Sequence, residues 1–186
     1  MKKVFVVILL SFTTASFSQE RHYELERLIL DKVNEFRISQ GLLAVEWNDK
    51  VYDAAYHHAY YLSLDSVPFA HEENYDVEGF EEISDVQHRI KHYYDKYSWG
   101  IENLIGLNIV WFDGDLEKAA TWVVNGWINS PGHRRGMLFD TEGAGNLDFG
   151  AVSVLMKPSK YGWENCDMCW SAWPTLVLVH KVVIKY

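Results

Sequence analysis

Three side chains in this sequence have the types and settings of a small binding site. His71 stands in the polar stretch FAHEEN, Glu102 in GIENL, and His133 directly after the turn Asn129-Ser130-Pro131-Gly132. Neutral imidazole is the favoured nitrogen donor to a divalent cation such as zinc, and a nearby carboxylate adds charge without closing the coordination sphere. Each of the three lies at the edge of an element, where sites are usually built on a scaffold. Taken singly, each reads equally as a solvated loop residue or a local cap. No Gly-x-Ser-x-Gly elbow, phosphate loop or His-Glu-x-x-His motif occurs, so the ready-made signatures of acyl transfer, nucleotide binding and zinc proteolysis are missing.

The remaining candidates have plainer readings. His58 falls on the inward face of a helix and reads as a hydrogen-bonded core residue. His88 and His92 are four apart, a chelating spacing, but they face away from the Ile83/Val86/Ile90 stripe and read as a solvated face. His180 alternates with Lys181 in a β-rich run and reads as partly buried, while His22 and His57 carry no signal. Cys166 and Cys169 occur in ENCDMCW. In an exported chain a short structural disulfide is the default. Glu164 and Asp167 beside them disfavour a low-pKa redox pair, and a zinc site would want a second pair of ligands. A free or metal-bound pair remains the alternative.

The elements that must position these residues follow from hydrophobic period. Leu25, Leu28, Ile29, Val33 and Phe36 share one helical face, closed by Gly41. A second helix, capped by Asn48 or Asp49, gathers Val51, Ala54, Ala55, His58, Ala59 and Leu62. Residues 66–80 read as loop. The run EEISDVQHRIKHYYDKY predicts a third helix with Ile83, Val86, Ile90, Tyr93 and Tyr97 inward, and WGIENLIGLNIVWF predicts a loop leading to a short strand. A fourth helix carries Leu116, Ala119, Ala120, Val123 and Trp127, and Ser130-Pro131-Gly132 ends it. The period then changes: DFGAVSVLM and TLVLVHKVVIKY read as strands around an ornate hairpin loop. Helices first and strands last predict a single α+β domain with an antiparallel sheet.

Composition sets the compartment and excludes some partners. The 186 residues are 48% hydrophobic and 15% aromatic, ample for a core. Lys2 and Lys3, the apolar run Val4 to Leu10 and the small residues Ser16 and Ser18 predict a signal peptide over residues 1–18, cleaved before Gln19. Seven apolar residues are too few to span a membrane, so no stable membrane anchor is expected. Removing Lys2 and Lys3 from 17 basic residues leaves 15 against 26 acidic ones, a formal charge of −11. Such a surface repels phosphate backbones, so nucleic acid is a poor partner.

The ordered segments LILDKVNEFRISQGL, VEWNDKVYDAAYHHAYYL, FAHEEN, GIENLIG, VVNGWINSPGHRRGML and FGAVSVLM resemble the bacterial branch of the CAP superfamily. This is the group of cysteine-rich secretory, antigen 5 and pathogenesis-related 1 proteins, also called SCP-like extracellular proteins. The likeness runs from about residue 25 to residue 156, and GW-x-NSPGHR is its specific part. It implies a three-layer α-β-α sandwich with a central antiparallel sheet. It implies one CAP domain over residues 19–186, with a divergent C-terminal hairpin at about 157–186. It also implies an open cleft formed by His71, Glu102 and His133, able to share zinc or another divalent cation. Ser130 occupies the position of a second glutamate found in eukaryotic members, and Gly136 stands where relatives carry Asn or a similar residue.

The function implied is that of a secreted binding protein for a cation and a small-molecule or lipid ligand, with no clear catalysis. A metal-dependent hydrolase, with Glu72 or Glu73 as base, is the alternative. So is an adhesive domain touching sugar or protein through the loop region that carries Trp163, Trp170, Trp173 and Pro174.

Overall fold

The structure, a computed structural model, describes residues 20–64, 67–74, 76–78, 80, 85–139, 147–158, 170–172 and 174–181. The expected signal peptide and the Cys166–Cys169 pair lie outside these residues. In chain order the first half forms β1 (Glu20–Arg21), α1 (Tyr23–Ser39), β2 (Glu46–Trp47), α2 (Asp49–Leu62), α3 (Val86–Tyr93) and β3 (Tyr97–Leu104). The second half forms β4 (Leu107–Asn108), a 3-10 turn (Ile109–Phe112), α4 (Leu116–Asn129), α5 (Pro131–Leu138), β5 (Phe149–Ser153), β6 (Leu155–Pro158), β7 (Trp170–Ala172) and β8 (Thr175–Lys181).

The helices form where the apolar period places them. Leu25, Ile29 and Val33 of α1 are fully buried, and the helix stops as Gly41 turns to φ +80°, left-handed geometry that glycine adopts without strain. Asn48 caps α2, its side-chain oxygen accepting the N–H groups of Lys50 and Val51. Asp115 caps α4 by accepting from Lys118. The third helix is shorter than its stripe predicts. It starts at Val86 behind the cap Asp85 and ends at Tyr93, and Tyr97 reaches the same core cluster from a strand.

The central sheet has the order β2-β5-β8-β3. It is mixed, because β2 pairs parallel to β5 while β5–β8 and β8–β3 are antiparallel. This corrects the expected all-antiparallel sheet: β2 enters at the edge from the α1 connector and runs alongside β5 for two residues. Side chains alternate across the sheet. Val152, Leu176 and Leu178 pack with α1 and α4, including Ile29 and Trp127. Ala151, Val177 and Val179 pack with Val51 and Ala55 of α2 and Ile90 of α3. The result is an α-β-α sandwich, as expected. Both faces of β8 are covered, which is why TLVLV reads as a continuous apolar run. A smaller sheet, β1-β6-β7-β4, stands beside it.

The largest departure from expectation is β3. GIENL is a strand at the edge of the central sheet, paired with β8 from Tyr97 to Leu104. Its alternation is hidden because Gly100 and Glu102 occupy positions where an apolar residue would announce a strand. Gly100 lets α3 and β8 approach closely: a Cβ would displace Ile90 Cδ1 of α3 and lie 3.2 Å from the Leu178 carbonyl oxygen.

Candidate functional site

Because β3 is an edge strand, consecutive residues on it serve opposite walls of one cleft. Glu102 faces the α2–α3 side and Asn103 the α5 side. The cleft measures about 810 Å³, and both His71 and His133 line it together with Glu102 and Ser130. The four cleft residues expected from the sequence are therefore gathered in one place.

His71 sits in an irregular segment held by buried hydrogen-bond partners. His58 Nε2 hydrogen-bonds the Ala70 carbonyl at 2.9 Å, Arg89 donates to the His71 carbonyl at 2.8 Å, and the Asn74 N–H donates to the Tyr61 hydroxyl at 2.9 Å. A loop near the core needs such partners for its backbone polar groups. The ring is then aimed by Nδ1, which donates to Glu102 Oε1 at 2.9 Å. That bond holds the His71 pKa above the ordinary 6.5, against partial burial and the nearby Arg89 charge.

His133 lies on the first turn of α5, with Pro131 at the helix start and Ser130 at the cap. The expected turn is thus a helix-to-helix corner, and Pro131 begins a helix as well as ending one. Asn103 Nδ2 donates to the His133 carbonyl at 3.0 Å, which ties α5 to β3. Close approach explains Gly136, since a Cβ there would lie 3.1 Å from Asn103 Oδ1 and 3.2 Å from Ile101 Cδ1. The His133 imidazole makes no hydrogen bond among the described residues. Burial, and then the charge on His71, push its pKa below the ordinary 6.5.

Behind the histidines lies a buried ionic network. Arg89, 1% exposed, bonds both oxygens of Glu102 at 2.9 Å and reaches Glu73 Oε1 at 3.3 Å. Glu73 also bonds His57 Nε2 at 3.0 Å and His58 Nδ1 at 2.7 Å. Burial alone would raise both carboxyl pKa values. For Glu73 the bonds from His57 and His58 together with the Arg89 charge outweigh it, and for Glu102 the charges of Arg89 and His58 together with the bonds from His71 and Arg89 do, so both stay below the ordinary 4.5. Glu73 is therefore not a base facing the cleft, and Glu72 is not among the lining residues. His58 is a hydrogen-bonded core residue and His88 and His92 are exposed, as expected. The structure describes no side chain for His180. Arg89, His57 and Asn103 were not picked out from the sequence. His22, also without signal there, caps α1 by accepting the Leu25 N–H at 3.4 Å.

Among the described residues no three His, Cys, Asp or Glu side chains are grouped to hold a metal ion. The donor chemistry shows why: Glu102 is engaged by Arg89 and by His71 Nδ1, which makes it an orienter of His71 instead of a free ligand. Two imidazoles remain as cation donors. The opposite end of the cleft is apolar. Trp99 and Phe139 stack at 3.8 Å with their planes 12° apart, beside Leu138 and Val86.

Comparison with known proteins agrees with this architecture. The family model described as CAP, cysteine-rich secretory protein family, matches residues 30–141. No curated protein matches. Among solved structures, an outer surface protein from Borrelia burgdorferi is similar with a TM-score of 0.60 at 17% identity, covering 89% of this chain and 100% of that one. An extracellular protein containing an SCP domain from Bacillus anthracis is similar with a TM-score of 0.59 at 18% identity, covering 86% of this chain. A cysteine-rich secretory protein from Staphylococcus aureus gives 0.50 at 14% identity, covering 87% of this chain. The chain spans 41% of the Bacillus protein and 40% of the Staphylococcus one. At these identities the solved structures establish the fold alone, and the family rests on the motif-bearing segment, from α1 through α5. The chain belongs to the CAP, or cysteine-rich secretory protein, family.

Proposed function

We propose that this chain is an exported binding protein whose cleft takes a divalent cation, zinc or a similar ion, between His71 and His133. A small apolar or lipid-like molecule would lie along the Trp99–Phe139 wall. The observation that carries this reading is the aim of His71: Glu102 holds Nδ1 at 2.9 Å, which leaves Nε2 as the donor nitrogen, the arrangement that oriented metal-binding histidines adopt. A bound cation would supply Lewis acidity toward oxygen atoms of a ligand. With Ser130 in place of a carboxylate the site carries little negative charge, so affinity is modest. Binding is favoured over hydrolysis because Glu73 and Glu102 are both engaged behind the site, leaving no carboxylate base for a water among the described residues that line it. Export rests on the Lys2-Lys3 and apolar leader and on the extracellular and surface proteins that share the fold. Among the described residues no helix is long and apolar enough to cross a membrane.

Calorimetry with zinc chloride tests the cation site on wild type, His71→Ala and His133→Ala. Each variant is expected to lose about tenfold or more in affinity, equivalent to about 1.4 kcal/mol. Protons compete for the imidazoles, so binding at about pH 5.5 is weaker than at about pH 7.5. Wild-type affinity in both variants overturns the cation reading. The apolar wall is tested separately with an anilinonaphthalene dye, whose fluorescence enhancement is expected to drop in Trp99→Ala. N-terminal sequencing of the exported protein is expected to begin at Gln19.

A further inference from the structure

A second concave site lies away from the cleft, where the 3-10 turn meets α4. The chain leaves β4 through Asn108, whose side chain accepts the Val110 N–H at 3.2 Å. It then reverses at Asp113 and Gly114, both in the left-handed region with φ of 49° and 79°. The Asp115 N–H closes the corner on the Phe112 carbonyl at 2.8 Å. The turn satisfies its own backbone, yet it holds Trp111 59% exposed opposite Trp122, itself 40% exposed. The two indoles meet edge to face at 6.4 Å and 75°, and Phe112 backs Trp122 at 6.0 Å. Around them is a hollow of about 590 Å³ whose rim carries Asp115, Lys118, Thr121 and Asn125.

The rim's charges cancel in pairs: Lys118 bridges Asp115 at 2.9 Å, and Lys32 of α1 bridges Glu117 at 2.7 Å. The Asn125 amide is exposed and makes no hydrogen bond among the described residues. Two exposed indoles set at a corner, with amide and hydroxyl groups around them, match a pyranose ring. Such a ring has an apolar C–H face and an equatorial belt of hydroxyls, and the hollow is within the usual size of small-ligand sites, about 300–1,000 Å³. A stable protein interface would want about 800 Å² of surface per partner, and a membrane surface would want a basic rim. The formal charge of −9 disfavours anionic sugars.

We propose that the corner formed by Trp111, Trp122 and Asn125 is a binding subsite for the end of a neutral oligosaccharide. Sugar rings stack on the indoles, Asn125 takes hydroxyl or acetamide groups, and the Thr121 hydroxyl, whose proton goes to the Glu117 carbonyl at 2.7 Å, accepts from a sugar hydroxyl. The site shares no residue with the histidine cleft, so the two stand or fall separately.

The test is calorimetry with two probes, the β-1,4-linked tetramers of glucose and of N-acetylglucosamine. At least one is expected to bind with a Kd of about 0.1–1 mM. Trp111→Ala and Trp122→Ala are each expected to weaken that binding about tenfold or more, and Asn125→Ala to weaken it less. His133→Ala should leave it unchanged. Both indoles are exposed, so circular dichroism should show the variants folded; should either misfold, Asn125→Ala reports on the rim without touching the rings. Failure of both tetramers to bind, or binding that survives both tryptophan substitutions, overturns the proposal. So does a tryptophan blue shift with phosphatidylcholine vesicles or with choline in place of either sugar.

Discussion

Arg89 allows two carboxylates to share the space behind one cleft. Its guanidinium lies between Glu73 and Glu102, whose side chains are 0% and 1% exposed. Removing one partner of such a buried network leaves uncompensated charge and costs about 3–5 kcal/mol. Arg89→Met is therefore expected to lower the unfolding free energy by about that amount in urea titrations. A second expectation concerns His71, whose raised pKa comes first from the Glu102 bond. Glu102→Gln keeps an oxygen for Nδ1 but removes the charge, so the His71 ring titration, followed by NMR, should move down; an unmoved titration would contradict the assigned cause. His71, Glu102 and His133 stood out in the sequence only as polar residues at element edges, and it was the likeness of their surrounding motifs to the CAP family that joined them into one cleft. Arg89 did not stand out, because between His88 and Ile90, with Lys91 following, it reads as one more charge on a solvated helix face. Its single cue is adjacency to the buried Ile90, and one step along a helix is enough to turn a long side chain inward.

The elements that carry the site are held by groups placed far away in the chain. Arg37 of α1 is fully buried. Its Nε donates to the Leu43 carbonyl at 3.0 Å and its NH1 to the Met137 carbonyl at 2.5 Å, in the last turn of α5. A cation there satisfies carbonyls the helix leaves open and complements its dipole. Arg37→Met strands the buried Met137 carbonyl, at about 1–3 kcal/mol, and removes the tie to the Leu43 carbonyl. It should destabilise the fold and selectively raise amide hydrogen exchange in α5. Arg37→Lys, with a single donor head, should rescue only part of this. The helical period made α1, α2 and α4 readable, since Leu25, Val33, Val51, Ala55, Ala120 and Trp127 are all buried as spaced. β3 and α5 escaped for opposite reasons. Gly100 and Glu102 erase the alternation of a strand, and GHRRGML has only Met137 to bury, so its helix is defined by Pro131, Asn103 and Arg37 more than by its own pattern.

At the scale of the whole molecule, buried carboxylates set the response to acid, and they do not all pull the same way. Glu73 and Glu102 have folded pKa values below the ordinary 4.5. Their contribution to stability is present above about pH 4.5 and is lost as pH falls through the folded values. Glu26 of α1 runs opposite. Burial raises its pKa, although Arg21 pairs with it at 2.8 Å and the Val154 N–H and the Tyr52 hydroxyl donate to it. A raised carboxyl pKa favours the folded state more as pH falls, so Glu26 partly masks the loss from the other two. Glu26→Gln removes the opposing titration while keeping an oxygen for the Val154 N–H. The variant's unfolding free energy should therefore fall more steeply than wild type's between about pH 5 and about pH 3, so that any margin it holds over wild type near neutral pH shrinks toward acid. Urea titrations at a series of pH values read both slopes. An acid profile flatter than wild type would mean that Glu26, together with Arg21, favours its charged form in the fold, and that burial is not what governs this carboxyl.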